Sequence, residues 1–393
     1  MNDSVMSALA GAALDASDVS VLPISDAYPV GTSTHTTGAF VGQYKLNQKL
    51  GEGQSSSVWA ATKDGTDFAV KILHGAAAPS PGPVMHELAI WRLLGEHPHI
   101  VSLIEYFHLN SSWHIVMRHS GGCDALQVLC EGGAFTEARA ASVTYQCASA
   151  LAHMHSLSIV HRDVKLENIV HTAPGAEPGH PLSPPTFPLT APARDLTYVC
   201  QLLSEAGDAQ IADFGLAVRF GGSHPPLTAL CGTAAYVAPE ILAAAEEDGA
   251  PYGVAVDLFA LGGVLFAVLG TYAAFDPRGD LTDEEILERV RKGQWAFDAF
   301  ERWDSVSGAA KRLIAELLEP EPAKRRTANE VLECPWARGE GVGDEGGPVE
   351  CPNPSPHTPT PEITQPQVEM LGGKTKRSRA RELDLCWGSG WGM

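Results

Sequence analysis

The spacing of apolar residues goes from mostly strand-like to mostly helical near Gly121 and Gly122, and no other feature restricts the fold as tightly. Upstream, "YKLNQKL", "SSVWAAT" and "DFAVKIL" carry β-branched and aromatic residues, with turn signals at Gly51–Gly53 and Asp64–Gly65. They predict three consecutive antiparallel strands. "GPVMHELAIWRLLGE" then sets apolar side chains at every third or fourth position, which predicts a helix entered after Pro83. Two more strand-like runs follow, "IVSLIEYF" and "WHIVMRH". Downstream of the two glycines, "TEARAASVTYQCASALAHMHSL" predicts a long helix, and most later segments share that period. A strand-rich part followed by a helix-rich part implies an α+β chain of two lobes joined near Arg118 to Gly122.

Between these patterned stretches the composition marks boundaries. Residues 1–43 are small and polar without sustained periodicity and read as disordered, and residues 337–393 return to Gly, Pro and Thr and read as a flexible tail. The patterned region is therefore 44–336, with an N-lobe over 44–117 and a C-lobe over 122–336. Within the second lobe, proline crowds residues 171–208, which blocks helix and ladder alike and predicts an exposed insert.

A chain of 393 residues that is 44% hydrophobic has enough apolar surface for two lobes. Its net charge of -20 argues against a broad nucleic-acid surface. None of the eight cysteines forms a CxxC pair, so neither a zinc site nor a disulfide framework is suggested and reduced thiols are expected. The first basic residue is Lys45, which disfavours targeting signals. No apolar run reaches membrane-spanning length, and "LFALGGVLFAVLG" is short enough to be a buried core helix. An intracellular protein follows, cytoplasmic first, with "KTKRSRARELDLCW" a surface basic cluster or a weak nuclear-import signal.

Chemistry enters at "LGEGQSSSVW", where Gly51 and Gly53 would let backbone amides approach phosphate oxygens without Cβ interference. A glycine-rich hairpin turn is the competing reading. Lys71 in "FAVK" would set an ammonium under the same loop, and Glu87 in the following helix would pair with it across the lobe. The order of that loop, the strand Lys, the helix Glu, "HRDVKLEN", "DFG" and "APE" resembles the eukaryotic protein kinases over roughly Tyr44 to Trp336. "LTDEEILERVRKGQWAFDAF" and the segments after it resemble the calcium/calmodulin-dependent-kinase-like group.

The resemblance implies a bilobal kinase fold, a small antiparallel sheet with one main helix above a mostly helical lobe, acting on ATP with Mg2+. It implies that Asp163 orients the attacking hydroxyl, that Lys165 offsets charge on the transferring group, and that Asn168 and Asp213 are metal ligands. Lys71 would hold the phosphates and pair with Glu87. The nucleotide would lie under Leu50, Gly51, Glu52, Gly53, Gln54, Ser55, Ser56, Ser57 and Val58, with Ala69 above the adenine and Val170 below it. Met117 would stand at the back, and the backbone of Arg118 and Ser120 would meet the adenine edge. Two departures from the family pattern stand out: Arg118 replaces a common acidic residue, and Ser56 takes the third glycine position.

Lys165 and Thr233 of "CGTAAYVAPE" resemble serine/threonine rather than tyrosine kinases, so Ser/Thr-bearing protein substrates are implied. Glu167 hints at basic residues in them. Arg162 would receive a phosphate on the activation segment, with Thr228 the candidate acceptor for an upstream kinase. Asp257, the Glu240 and Arg325 pair, and the column Trp91, Leu103, His161 and Phe214 resemble structural supports. A catalytically weak or inactive scaffold and a small-molecule kinase of related fold are the rival functions.

Overall fold

The computed structural model describes residues 36–52, 56–73, 81–119, 121–172, 207–222, 224–246, 249–297 and 301–342. Six strands form an antiparallel sheet in the order β1-β2-β3-β4-β6-β5: β1 Phe40–Val41, β2 Tyr44–Glu52, β3 Ser56–Lys63, β4 Thr66–Leu73, β5 Leu103–Leu109 and β6 Ser112–Arg118. The hairpin joining β3 to β4 turns at Asp64 and Gly65, both at positive φ (52° and 77°), the geometry whose twist matches paired strands. Period-two alternation divides the sheet's side chains between two cores. Tyr44, Leu46, Trp59, Val70, Ile72, Phe107 and Val116 form a separate apolar cluster on one face. Helix α1, Pro81–Leu94, covers the other with Leu88 and Trp91, in a core continuous with the second lobe. It starts at Pro81, ahead of the entry expected after Pro83, because proline is tolerated in a first turn.

The second lobe contains α2 Ala125–Gly132, α3 Glu137–Ser156, α4 Pro239–Ala244, α5 Ala255–Gly270, α6 Asp283–Arg291, α7 Gly308–Leu317 and α8 Ala328–Leu332. Every residue of α5 from Val256 to Gly270 is buried, as expected for a helix apolar on all sides. A Cβ at Gly262 would sit 2.8 Å from the Leu317 Cβ of α7, so the missing side chain sets how closely the two helices pack. Two small sheets carry the loops of interest. One has the order β10-β9-β7, from β7 Gly121–Asp124, β9 Ile169–Thr172 and β10 Ala209–Ile211, and the other pairs β8 Ile159–Val160 with β11 Val218–Arg219.

At three boundaries backbone pairing or packing reaches a few residues past the approximate limits read from the sequence. The first lobe begins before residue 44, since Phe40 pairs with Lys45 around a turn at Gly42, a strand too short to leave a period. The second lobe runs past residue 336: Ala337 is buried, and Arg338 Nε donates to the Leu332 carbonyl at the end of α8. The insert is narrower than 171–208, because His171 pairs with Ala209, and Thr172 exchanges backbone hydrogen bonds with Asp208 and Gly207. Residues 1–35, 173–206 and 343–393 lie outside the described residues. Among the described residues no helix is long and apolar enough to cross a membrane.

Candidate active site

Four segments bring the site together: β4, α1, the loop after β8 and the loop after β10. Lys71 lies on the β4 face turned toward α1, since Val70 and Ile72 on either side go to the opposite core. Its Nζ is 2.8 Å from Glu87 Oε1 and 3.0 Å from Asp213 Oδ1. Burial alone would lower the Lys71 ammonium, but the Asp213 and Glu87 carboxylates outweigh it and raise it above its ordinary value. In return the Lys71 ammonium holds the Asp213 carboxyl well below the usual carboxylate range, against the effect of burial. This cation therefore ties strand, helix and second lobe together.

Asp213 adopts φ 63°, a left-handed conformation costly for a residue with a side chain, and Gly215 N donates back to its Oδ1 at 3.3 Å. A Cβ on Gly215 would come 3.3 Å from that oxygen and 3.7 Å from Glu87 Oε2. The pattern "DFG" marks Asp213 and Phe214 by their side chains, whereas its glycine serves by keeping space beside the ion pair. Just behind, the Phe214 ring meets Trp91 at a tilt (centroids 5.1 Å apart) and His161 edge to face (5.5 Å), with Leu103 packed against the same core. The expected column is thus formed.

The loop after β8 is held from below by Asp257 in the first turn of α5. Its carboxylate accepts from the backbone amides of His161 (2.9 Å) and Arg162 (2.8 Å) and pairs with His155 Nε2 at 2.9 Å. Burial pushes that carboxyl up, but His155 and the loop contacts prevail and lower it. So fixed, Asp163 presents its carboxylate to three groups. Oδ1 accepts from Thr233 Oγ1 at 2.8 Å, and Oδ2 lies 2.6 Å from Lys165 Nζ and 3.1 Å from Asn168 Nδ2. Lys165 Nζ also reaches Thr233 Oγ1 at 3.1 Å, closing a ring of Asp, Lys and Thr. Asn168 Nδ2 further donates to the Asp163 carbonyl at 2.8 Å, which leaves its side-chain oxygen as the group able to meet a cation.

Two oxygens on segments joined by the backbone bond from Ala212 N to Asn168 O (2.9 Å) suit a hard divalent cation such as Mg2+. Such a cation, held there, would supply positive charge beside a phosphate, and among the described residues no group of three His, Cys, Asp or Glu forms another metal site.

The nucleotide-facing candidates divide. Val58 pairs with Lys71 and Ala69 with Met117, so these expected walls of the cleft lie on the adjoining strands β3, β4 and β6, whereas Val170 lies in the separate β10-β9-β7 sheet, paired with Asp124. Leu50 is largely exposed, Gly51 pairs with Val58, Ser56 is half-buried, and Glu52 forms a surface pair with Lys49. At Ser57 the backbone, rather than the hydroxyl, faces the candidate nucleotide site. Alternation turns its hydroxyl to the outer face of β3, where it accepts from Trp59 Nε1 at 3.0 Å. The Arg118 amide donates to the Ser102 carbonyl, so at that residue the candidate adenine contact reduces to its carbonyl. Gly53, Gln54, Ser55 and Ser120 lie outside the described residues.

On the activation segment, Arg162 donates to the Leu216 carbonyl (2.8 Å) and the Tyr252 hydroxyl (3.1 Å), and Tyr252 in turn donates to the Ala229 carbonyl (2.9 Å). Tyr252 was not singled out from sequence, since nothing local marks a tyrosine that works through a loop of the chain 90 residues away. Thr228 is exposed. Glu240 and Arg325 form a bidentate pair at 2.5 and 2.9 Å.

Known proteins repeat this arrangement of sequence. A family model for the protein kinase domain matches residues 44–337. Calcium/calmodulin-dependent protein kinase type 1B of Mus musculus is 31% identical over 308 residues, 77% of this chain and 77% of its own length. Serine/threonine-protein kinase DCLK1 of Rattus norvegicus is 32% identical over 304 residues, 76% of this chain and 61% of that protein. Serine/threonine-protein kinase DCLK2 of Rattus norvegicus is 30% identical over 297 residues, 75% of this chain; the chain spans 34% of that relative's length. Since the family match covers both lobes and most of the chain, the chain belongs to the protein kinase family, and its likeness there is to serine/threonine kinases.

Proposed function

We propose that this chain transfers the γ-phosphate of ATP to serine and threonine hydroxyls of protein substrates. The observation that carries the reading is the single Lys71 ammonium engaged by Glu87 and Asp213 together, since transfer by positioning needs all three in register. Asp163 Oδ1 holds Thr233 on one lone pair, and its second is the natural place for an incoming substrate hydroxyl. Lys165 stands 2.6 Å from that carboxylate, where its charge would oppose negative charge gathering on the transferred group. Asn168 and Asp213 would hold Mg2+, which supplies charge neutralisation across the phosphates. A scaffold without activity would have no need of this complete and mutually bonded set.

Glu167 supports a preference for basic residues in the substrate. Its Oε2 is buried without a hydrogen-bond partner among the described residues, an arrangement a guanidinium or ammonium would satisfy. Thr228, exposed on the segment that Arg162 holds, is the acceptor proposed for an upstream activating kinase. An intracellular, cytoplasmic or nuclear setting agrees with such substrates.

The test is radiolabel transfer from ATP to a Ser/Thr peptide library, with Asp213→Asn in parallel. Transfer by the native chain and a fall of at least about 10^3-fold in the variant are expected, since the variant loses a charged partner of metal and lysine. Absence of transfer under every activating treatment would establish the scaffold instead.

A further inference from the structure

Arg139 is out of place by helix rules. It lies in the first turn of α3, after the N-cap Thr136, where a cation opposes the helix dipole. Its side chain leaves the helix and meets both strands at the neck of residues 173–206. Arg139 Nη2 is 2.8 Å from His171 Nδ1 on β9 and donates at 2.9 Å to the Gly207 carbonyl leading into β10. Burial and the nearby Arg139 push the His171 imidazole down to about 3, so Nδ1 stays an acceptor near neutral pH. Two turns further along α3, Gln146 repeats the grip: Nε2 donates to Asp208 Oδ1 at 2.5 Å, and Oε1 accepts from Ala209 N at 2.8 Å.

From this grip a short ladder runs straight into the active site. Thr172 N bonds to Asp208 O, Gly207 N to Thr172 O, and β9 and β10 pair from His171 with Ala209 down to Ile169 with Ile211. The next bond, Ala212 N to Asn168 O, joins one candidate metal ligand to the residue that precedes the other, Asp213. A connection as long as 173–206 tends to separate its own ends, because closing it restricts the chain. That tendency acts on the strands that carry Asn168 and Asp213.

We propose that Arg139 is a positioning residue for phosphoryl transfer: by clasping β9 and β10 at the neck of residues 173–206, it keeps Asn168 and Asp213 in register against the pull of that connection. The proposal rests on the reading of Asn168 and Asp213 as metal ligands. It distinguishes Arg139 from an ordinary stabilising contact, because its importance must depend on the length of chain between Thr172 and Gly207.

The test is a cycle of four proteins: the full chain and a chain with residues 174–205 replaced by a short Gly-Ser linker, each with and without Arg139→Met. Amide hydrogen exchange at Gly207, Ala209 and Ala212 is followed in the unliganded proteins, and the Mg2+ dependence of peptide phosphorylation is measured beside it. In the full chain Arg139→Met speeds exchange about tenfold, as loss of a charge-assisted bond at a local opening implies. The Mg2+ needed for half-maximal rate rises while saturated kcat falls less. With the short linker the same substitution has little effect on either readout, and Arg139→Lys in the full chain lies between.

Equal effects in both lengths of chain, or unchanged exchange in the full chain, overturn the proposal. Misfolding of Arg139→Met only with the long connection supports it, and misfolding with both overturns it. If the native chain transfers no phosphate, the proposed activity fails, while exchange still decides whether Arg139 acts as a clasp.

Discussion

At the scale of single residues, the site depends on groups that each satisfy two neighbours at once. Thr233 is the clearest: it donates to Asp163 and accepts from Lys165, so its hydroxyl orders the two side chains expected to touch the substrate. Thr233→Val keeps the shape and removes both bonds. We expect peptide phosphorylation to fall about tenfold in kcat with KM for ATP nearly unchanged, as one lost hydrogen bond to a charged group implies. Steady-state kinetics of the variant would check this, and a change confined to KM for ATP would refute it. Residues of this kind were readable in advance because phosphoryl transfer fixes both residue type and order. Lys71, Glu87, Asp163, Asn168 and Asp213 therefore stand out from the chain and converge in space. The engagement of the Ser57 hydroxyl by Trp59 was not readable, because it depends on alternation along β3 rather than on the loop's residue types.

At the scale of elements, α3 organises much of the second lobe. Its N-terminal Glu137 accepts from the Ser307 amide (2.7 Å), the Ser307 hydroxyl (2.6 Å) and Trp336 Nε1 (2.9 Å), fastening the entry of α7 and the chain after α8 to one carboxylate. Loss of a charged acceptor with three donors should cost about 3 kcal/mol, so Glu137→Ala should lower the urea midpoint markedly without altering the slope. A shift near zero would mean that water replaces the carboxylate freely. No pattern in the sequence announces this fastening, because Glu137 and Trp336 are 199 positions apart and each looks ordinary in its own segment. Arg139 and His171 were hidden in the same way. By contrast α3 itself, α5 and the strands of the first lobe were plain from their periods.

At the scale of the whole molecule, the two lobes share one apolar core through α1, and the second lobe is closed by the Glu240 and Arg325 pair, whose guanidinium is fully buried. Removing one partner strands a buried charge. Arg325→Met should therefore cost about 3–5 kcal/mol, and adding Glu240→Gln should restore part of it. Thermal melts of the single and double variants measure the difference, and strictly additive losses would show that the two groups do not interact. The bilobal division was readable because strands and helices occupy separate halves of the sequence, while its limits were not, since Phe40 and Ala337 belong to segments too short to show a period. Helix α5 is buried from Val256 onward, and α7 packs on it where Gly262 meets Leu317. During synthesis the ribosome delivers this greasy rod after α3, which covers one side of it, but before α7, which covers another, so the nascent chain passes through a sticky stage. Release of the chain before residue 308 would leave the α7 side of the rod uncovered, and such fragments should be found with chaperones or in inclusion bodies.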